Sequence, residues 1–173
     1  MKMCEKLRRR VGAAALLGTW LLAAAAADAG DSGMTAQHFL DEAARGSLAE
    51  VTLGRMAAAR GRAAEVREFA ARMVENHAEA LAEARQVAET TGAQISERMT
   101  GRHEALAERL AGADDARFDR VYMEAMVEDH QSTIGKFETQ AESGDGAVAA
   151  FARKHLPVLR EHLAMAQRIL DGL

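Results

Sequence analysis

Two copies of one pattern stand 53 residues apart: Met73-Val74-Glu75-Asn76-His77 and Met126-Val127-Glu128-Asp129-His130. In each, the histidine follows the methionine by four residues, one helical turn, so both fall on the apolar side of a helix. A third segment, Glu161-His162, has similar surroundings, and Glu50 is the one acidic residue on the apolar stripe of an earlier segment. Three neutral imidazoles and a carboxylate are a donor set for one transition-metal ion: zinc, copper or iron. Two alternates share these faces. His155 precedes His162 by seven residues, and Asp119 precedes His130 by 11, three turns. The rival reading is structural. Core histidines then only accept and donate hydrogen bonds, with Glu50 against His77 or His130 as a buried pair that fixes register. Tyr122, two turns before His130, is a further partner in either case.

Other chemistry is poorly supplied. A di-iron carboxylate site needs Glu-x-x-His on two helices. Here Val74 and Val127 stand three residues before His77 and His130, so iron oxidation of that form is discarded. No Ser/His/acid arrangement suggests a nucleophile, and nothing else marks the chain as an enzyme. The methionines are scattered as core filler. His38 is expected at the surface and His103 in solvent. Glu75, Glu128 and Asp129 are expected to face solvent or the edge of the stripe.

The elements that must position these residues read as helices. Ala, Glu, Arg, Leu and Met dominate, proline occurs once, and sustained strand alternation is missing. A first helix is predicted from the N-cap Thr35 to near Gly61, and a second from about Arg62 to Thr91, stopped by Gly92. Residues 93–113 read as a connection with a short exposed helix over Glu97–Leu110, broken at Gly101 and Gly112. A third helix is predicted from Asp114-Asp115 to Ser143. A fourth, from Asp145 to Leu170, is interrupted at Pro157, which frees the Arg153 carbonyl and kinks the helix or divides it into a short and a longer piece. On these boundaries Glu50, His77, His130 and His162 share one height. The fold class is all-α: a ferritin-like four-helix bundle with a long middle connection. Small residues at Gly46 and Gly54 let a second helix approach the first.

The first 29 residues have a basic start, an uncharged run over Val11–Ala27 and small residues after it. That is the layout of a cleaved secretory signal peptide, with a retained anchor as the rival. The mature domain, residues 30–173, then has no stable membrane span and lies in the periplasm or is secreted. Losing five basic and two acidic residues takes the net charge from −4 to −7, which disfavours a nucleic-acid partner. Cys4, the only cysteine, is lost with the signal, so the mature domain rests on core packing without a disulfide. Oligomeric state has no signature in the chain.

Phe39-Leu40, Ala43-Ala44, Glu50-Val51, Leu53-Gly54, Phe69-Ala70-x-x-Met73-Val74-x-x-His77, Phe118-Asp119-x-x-Tyr122, Met126-Val127-x-x-His130 and Leu156-Pro157-x-Leu159-x-x-His162 together resemble an exported bacterial family, the domain of unknown function 4142. The resemblance covers residues 35–170 nearly throughout. It implies a ferritin-like bundle outside the cytoplasm and no particular activity. Its matching positions include Glu50, His77, Asp119, His130 and His162, but not His38, His103 or His155. The expectation is an exported helical bundle that binds a transition metal through core His and Glu. Its alternative is a metal-free structural or interaction module of the envelope, and a third, lesser reading is a pH-responsive envelope protein.

Overall fold

Thr35 accepts a hydrogen bond from the His38 backbone N–H at 3.2 Å and so starts the first helix, α1 (Ala36–Arg60). The structure, a computed structural model, describes residues 34–173 apart from 145. The expected signal segment and Cys4 lie outside the described residues. After three residues, α2 (Ala64–Thr91) begins, and Gly92 ends it at φ 74°, a left-handed conformation that glycine adopts without steric cost. Thr100 caps α3 (Gly101–Gly112), and Asp114 caps α4 (Asp115–Glu142) by accepting from the Arg117 N–H at 2.9 Å. The last helix, α5, covers Ala147–Gly172. The described residues form five helices and no strand, and none of these helices is long and apolar enough to cross a membrane.

Two expectations need correction. Gly101 does not break the short helix; it opens it, because Thr100 supplies the cap one residue earlier. Pro157 does not divide the last helix, which runs through it unbroken for 26 residues. Pro157 and Arg153 are both exposed, so the Arg153 carbonyl left without an N–H partner can bond to water.

α1 packs mainly on α2, and α4 on α5; the two pairs meet through α2 with α5 and α1 with α4. Two apolar clusters result. One gathers Leu53, Phe69, Met73, Phe118, Met126 and Ala166; the other gathers Phe39, Leu40, Leu81, Phe137, Phe151 and Leu159. Each long helix contributes to both, with its polar core residue in between. The order of the clusters along the chain gives the helix directions. α1 and α5 run from the second cluster to the first, whereas α2 and α4 run from the first to the second. The stretch from α2 to α4, including α3, therefore carries the chain from one end of the bundle to the other.

α3 is held differently. Its buried members are His103 and Leu110. Its C-terminal carbonyls are satisfied from α1: the Arg60 guanidinium donates to Leu110 O at 2.8 Å and Ala113 O at 2.9 Å, and lies 4.5 Å from the centre of the Phe118 ring.

The two small positions on α1 separate. A Cβ at Gly54 would stand 2.9 Å from Val74 Cγ2 and 3.0 Å from Ala70 O, so this glycine permits the close approach of α2. A Cβ at Gly46 would meet nothing within 4 Å. Gly46→Ala is expected to stabilise by about 1 kcal/mol through helix propensity. Gly54→Ala is expected to lose roughly 1–3 kcal/mol to overpacking. Urea unfolding of the two variants checks the opposite signs.

Candidate metal centre

One polar side chain from each long helix reaches the layer between the two apolar clusters: Glu50 from α1, His77 from α2, His130 from α4 and His162 from α5. Their residues are 2%, 7%, 1% and 1% exposed. The three imidazoles pack ring against ring, with centroids 5.8 Å apart for His77 and His130 and 5.4 Å for the other two pairs. One nitrogen from each ring lies within 4.8 Å of the other two. Donors at about 2.0–2.1 Å from one tetrahedral ion stand about 3.4 Å apart, so side-chain shifts on the order of 1 Å would close the triad around an ion.

The hydrogen bonds sort the nitrogens. His130 Nδ1 lies 2.9 Å from the Met126 carbonyl oxygen. A carbonyl only accepts, so Nδ1 carries the proton and the Nε2 lone pair is free. His162 Nε2 donates to Asn76 Oδ1 at 2.9 Å, which leaves the Nδ1 lone pair free. Those two free nitrogens are buried without a partner, as are both nitrogens of His77 and the hydroxyl of Tyr122, while the Glu50 carboxyl has Asp129 beside it. Buried polar atoms are rarely orphaned, and here they share one layer. Metal-ligating histidines typically donate their second N–H to a carbonyl or side-chain oxygen, as His130 and His162 do.

Burial also sets the charge states. It holds His77 well below its ordinary pKa, with His130 and His162 adding to the effect, and it lowers His130, partly opposed by Asp129. His162 is pushed to about 3, mainly by burial, with His130 and Arg72 contributing. The imidazoles are thus kept neutral, the form that binds metal. Burial, with Asp129 beside it, raises the Glu50 carboxyl well above its usual range, and burial with Glu50 nearby raises the Tyr122 hydroxyl.

Asp129 and His103 correct the sequence reading. Asp129 turns inward, and one of its carboxylate oxygens lies within 4.8 Å of donor atoms of Glu50 and His130. On its outer side it meets Arg102 at 3.2 Å and His103 Nε2 at 3.4 Å. Burial works against its charge, but the hydrogen bond from His103, with His103, His130 and Arg102 close by, holds its carboxyl below the usual range. His103 is buried rather than solvated, with its Nδ1 3.0 Å from Thr100 Oγ1. Glu75, Glu128 and His38 are exposed, as expected. The fourth position of the repeat was the signal: Asn76 and Asp129, each one residue before its histidine, both face the site.

The two alternates stand apart from the triad. Asp119 accepts the backbone N–H groups of Arg62 and Ala63, at 3.0 and 2.8 Å, and so caps the start of α2. Eleven residues of helix separate it from His130 by about 16 Å. Asp119→Ala should cost about 1–2 kcal/mol of stability, as lost caps do, without changing metal content; chemical denaturation and metal analysis of the variant check both halves. His155 bonds through Nε2 to Glu83 Oε2 at 2.8 Å, and its ring packs 4.6 Å from that of Phe151.

A cavity of about 290 Å³ is bounded by the three histidines, Glu50 and Asp129, and extends to the surface residues Arg102 and Lys136.

Comparison with known proteins adds a family and no closer relative. No curated protein and no solved structure matches the chain. The model of a domain of unknown function, DUF4142, matches residues 21–169. That match spans most of the chain, and the protein belongs to this family.

Proposed function

We propose that this protein binds one transition-metal ion (zinc, copper or iron) through His77, His130 and His162, with Glu50 completing the set. The observation that carries the reading is the disposition of the ring nitrogens. Three buried, neutral imidazoles direct donor atoms into one space, and two of them are oriented by bonds that leave the inward nitrogen free. A purely structural cluster would have its polar atoms satisfied, and a nitrogen on each of the three histidines is not. The ion would supply the missing partner to one nitrogen of each histidine and to Glu50. Ligation by Glu50 requires its proton to leave, so affinity rises with pH.

The scaffold we assign is a ferritin-like four-helix bundle. Helix directions of up, down, down, up, with one long crossover between the second and third long helices, support it. The domain is taken as residues 30–173, freed from a signal peptide and working in the periplasm or outside the cell. The basic start and apolar run of the sequence support that placement. The role is binding, with no reaction assigned.

The test is direct. Purified protein is loaded with zinc, copper or iron in turn, dialysed and analysed for bound metal. One ion per chain is expected, and none in His130→Ala. A folded protein that retains no stoichiometric metal would return the cluster to a structural role.

A further inference from the structure

Resting on that metal reading, we infer that the cavity above the ion is a binding site for a small carboxylate-headed molecule with an apolar body. The carboxylate would join the three histidines and Glu50 as a fifth ligand of the ion.

The cavity reaches from the ring nitrogens to the surface, so a small molecule can approach the site without unfolding the layer. At about 290 Å³ it exceeds a cavity of about 150 Å³, which suffices for benzene. A six-membered ring with a charged head therefore fits. Its walls divide by chemistry. Phe39, Ala43, Phe137 and Leu159 offer apolar surface, and the donors lie at the inner end.

Charge selects an anionic head, and only in the presence of the ion. A divalent ion on three neutral imidazoles and the Glu50 carboxylate leaves one positive charge in a buried place, because Asp129 is met on its outer side by Arg102 and His103. Without the ion, an incoming anion meets the Asp129 carboxylate and a Glu50 carboxyl that burial holds toward its neutral form. The cations at the mouth are already engaged. Arg102 faces Asp129 and Glu128, and Lys136 donates to Glu42 at 2.7 Å. The α1 wall is kept open by Gly46, which lines the cavity and whose absent side chain would meet nothing within 4 Å.

Benzoate is the probe. Protein loaded with cobalt(II) is first analysed for metal content, then titrated with benzoate while the visible bands of the ion and the heat of binding are followed. We expect saturable binding that changes the cobalt spectrum and is at least tenfold weaker in metal-free protein. Gly46→Phe, which projects a ring into the cavity, should keep its cobalt and lose benzoate binding. Protein that holds cobalt but shows no spectral change and no heat with millimolar benzoate overturns this inference and leaves the metal reading standing. Equal binding by metal-free protein, or undiminished binding by Gly46→Phe, overturns it as well. Protein that holds no cobalt overturns the metal reading itself, and this inference with it.

Discussion

Replacing His77 by leucine should abolish metal binding and, at the same time, raise the melting temperature of the metal-free protein. Both ring nitrogens of His77 are buried without a partner. Leaving a buried polar atom unsatisfied costs about 1–3 kcal/mol, whereas an apolar group of similar shape carries no such penalty. The surroundings accept an apolar side chain, since the layer lies between two hydrophobic clusters. A gain of 1–3 kcal/mol corresponds to roughly 3–9 °C for a domain of this size. His130→Leu should gain less, because it gives up the bond to Met126 O. Calorimetry of metal-free wild type and His77→Leu decides the point. If the leucine variant melts lower, the histidine was holding the helices together, and the structural reading gains at the expense of the metal.

Acid should unfold the metal-free protein well above the pH at which carboxylates alone would do so. His77, His130 and His162 all have folded pKa values below the unfolded value near 6.5. The unfolded chain therefore binds more protons in the interval between, and stability falls as pH drops through it. Each histidine contributes a loss of about 1.4 kcal/mol per pH unit. Glu50 has the opposite sign. Its raised pKa costs stability as pH rises toward its folded value, so acidification returns part of the loss. Three histidines oppose one carboxyl, so the net effect of acidification is a loss of stability. Bound metal should shift the transition to lower pH, because protons must compete with the ion for the same lone pairs. Circular dichroism from pH 7 to 4, with and without metal, measures both curves. Coincident curves for a protein shown to hold an ion would contradict the placement of that ion on these histidines.

Periodicity placed the four long helices, and three of them carry their own start or stop: Thr35, Gly92 and Asp114 act through backbone hydrogen bonds that depend on neighbours in sequence. The common height of Glu50, His77, His130 and His162 followed from the same boundaries. Periodicity failed for groups whose position depends on a segment without a register of its own. α3 is recognisable as a short helix, but nothing local says that its first turn lies against α4, so periodicity leaves His103 in solvent and Asp129 in solvent or at the edge of the stripe. Asp119 was misjudged for another reason. Sharing a face with His130 says nothing of distance along the axis, and three turns put it at the start of α2. Pro157 shows the limit of a propensity rule when the freed carbonyl is exposed.

The mooring of α3 bears on how fast an ion can leave. This helix is tethered by Arg60 at one end and by His103 within its first turn, whereas the long helices are anchored along their whole length. Its amides should therefore exchange with deuterium first, in a local opening far cheaper than global unfolding. Each such opening withdraws Arg102 and His103 from Asp129 and widens the mouth of the cavity. The residence time of the ion would then be shortened by the fluctuation of a 12-residue helix that contributes no ligand. Arg60, which touches neither the cavity nor the histidines, becomes the residue whose loss shortens it.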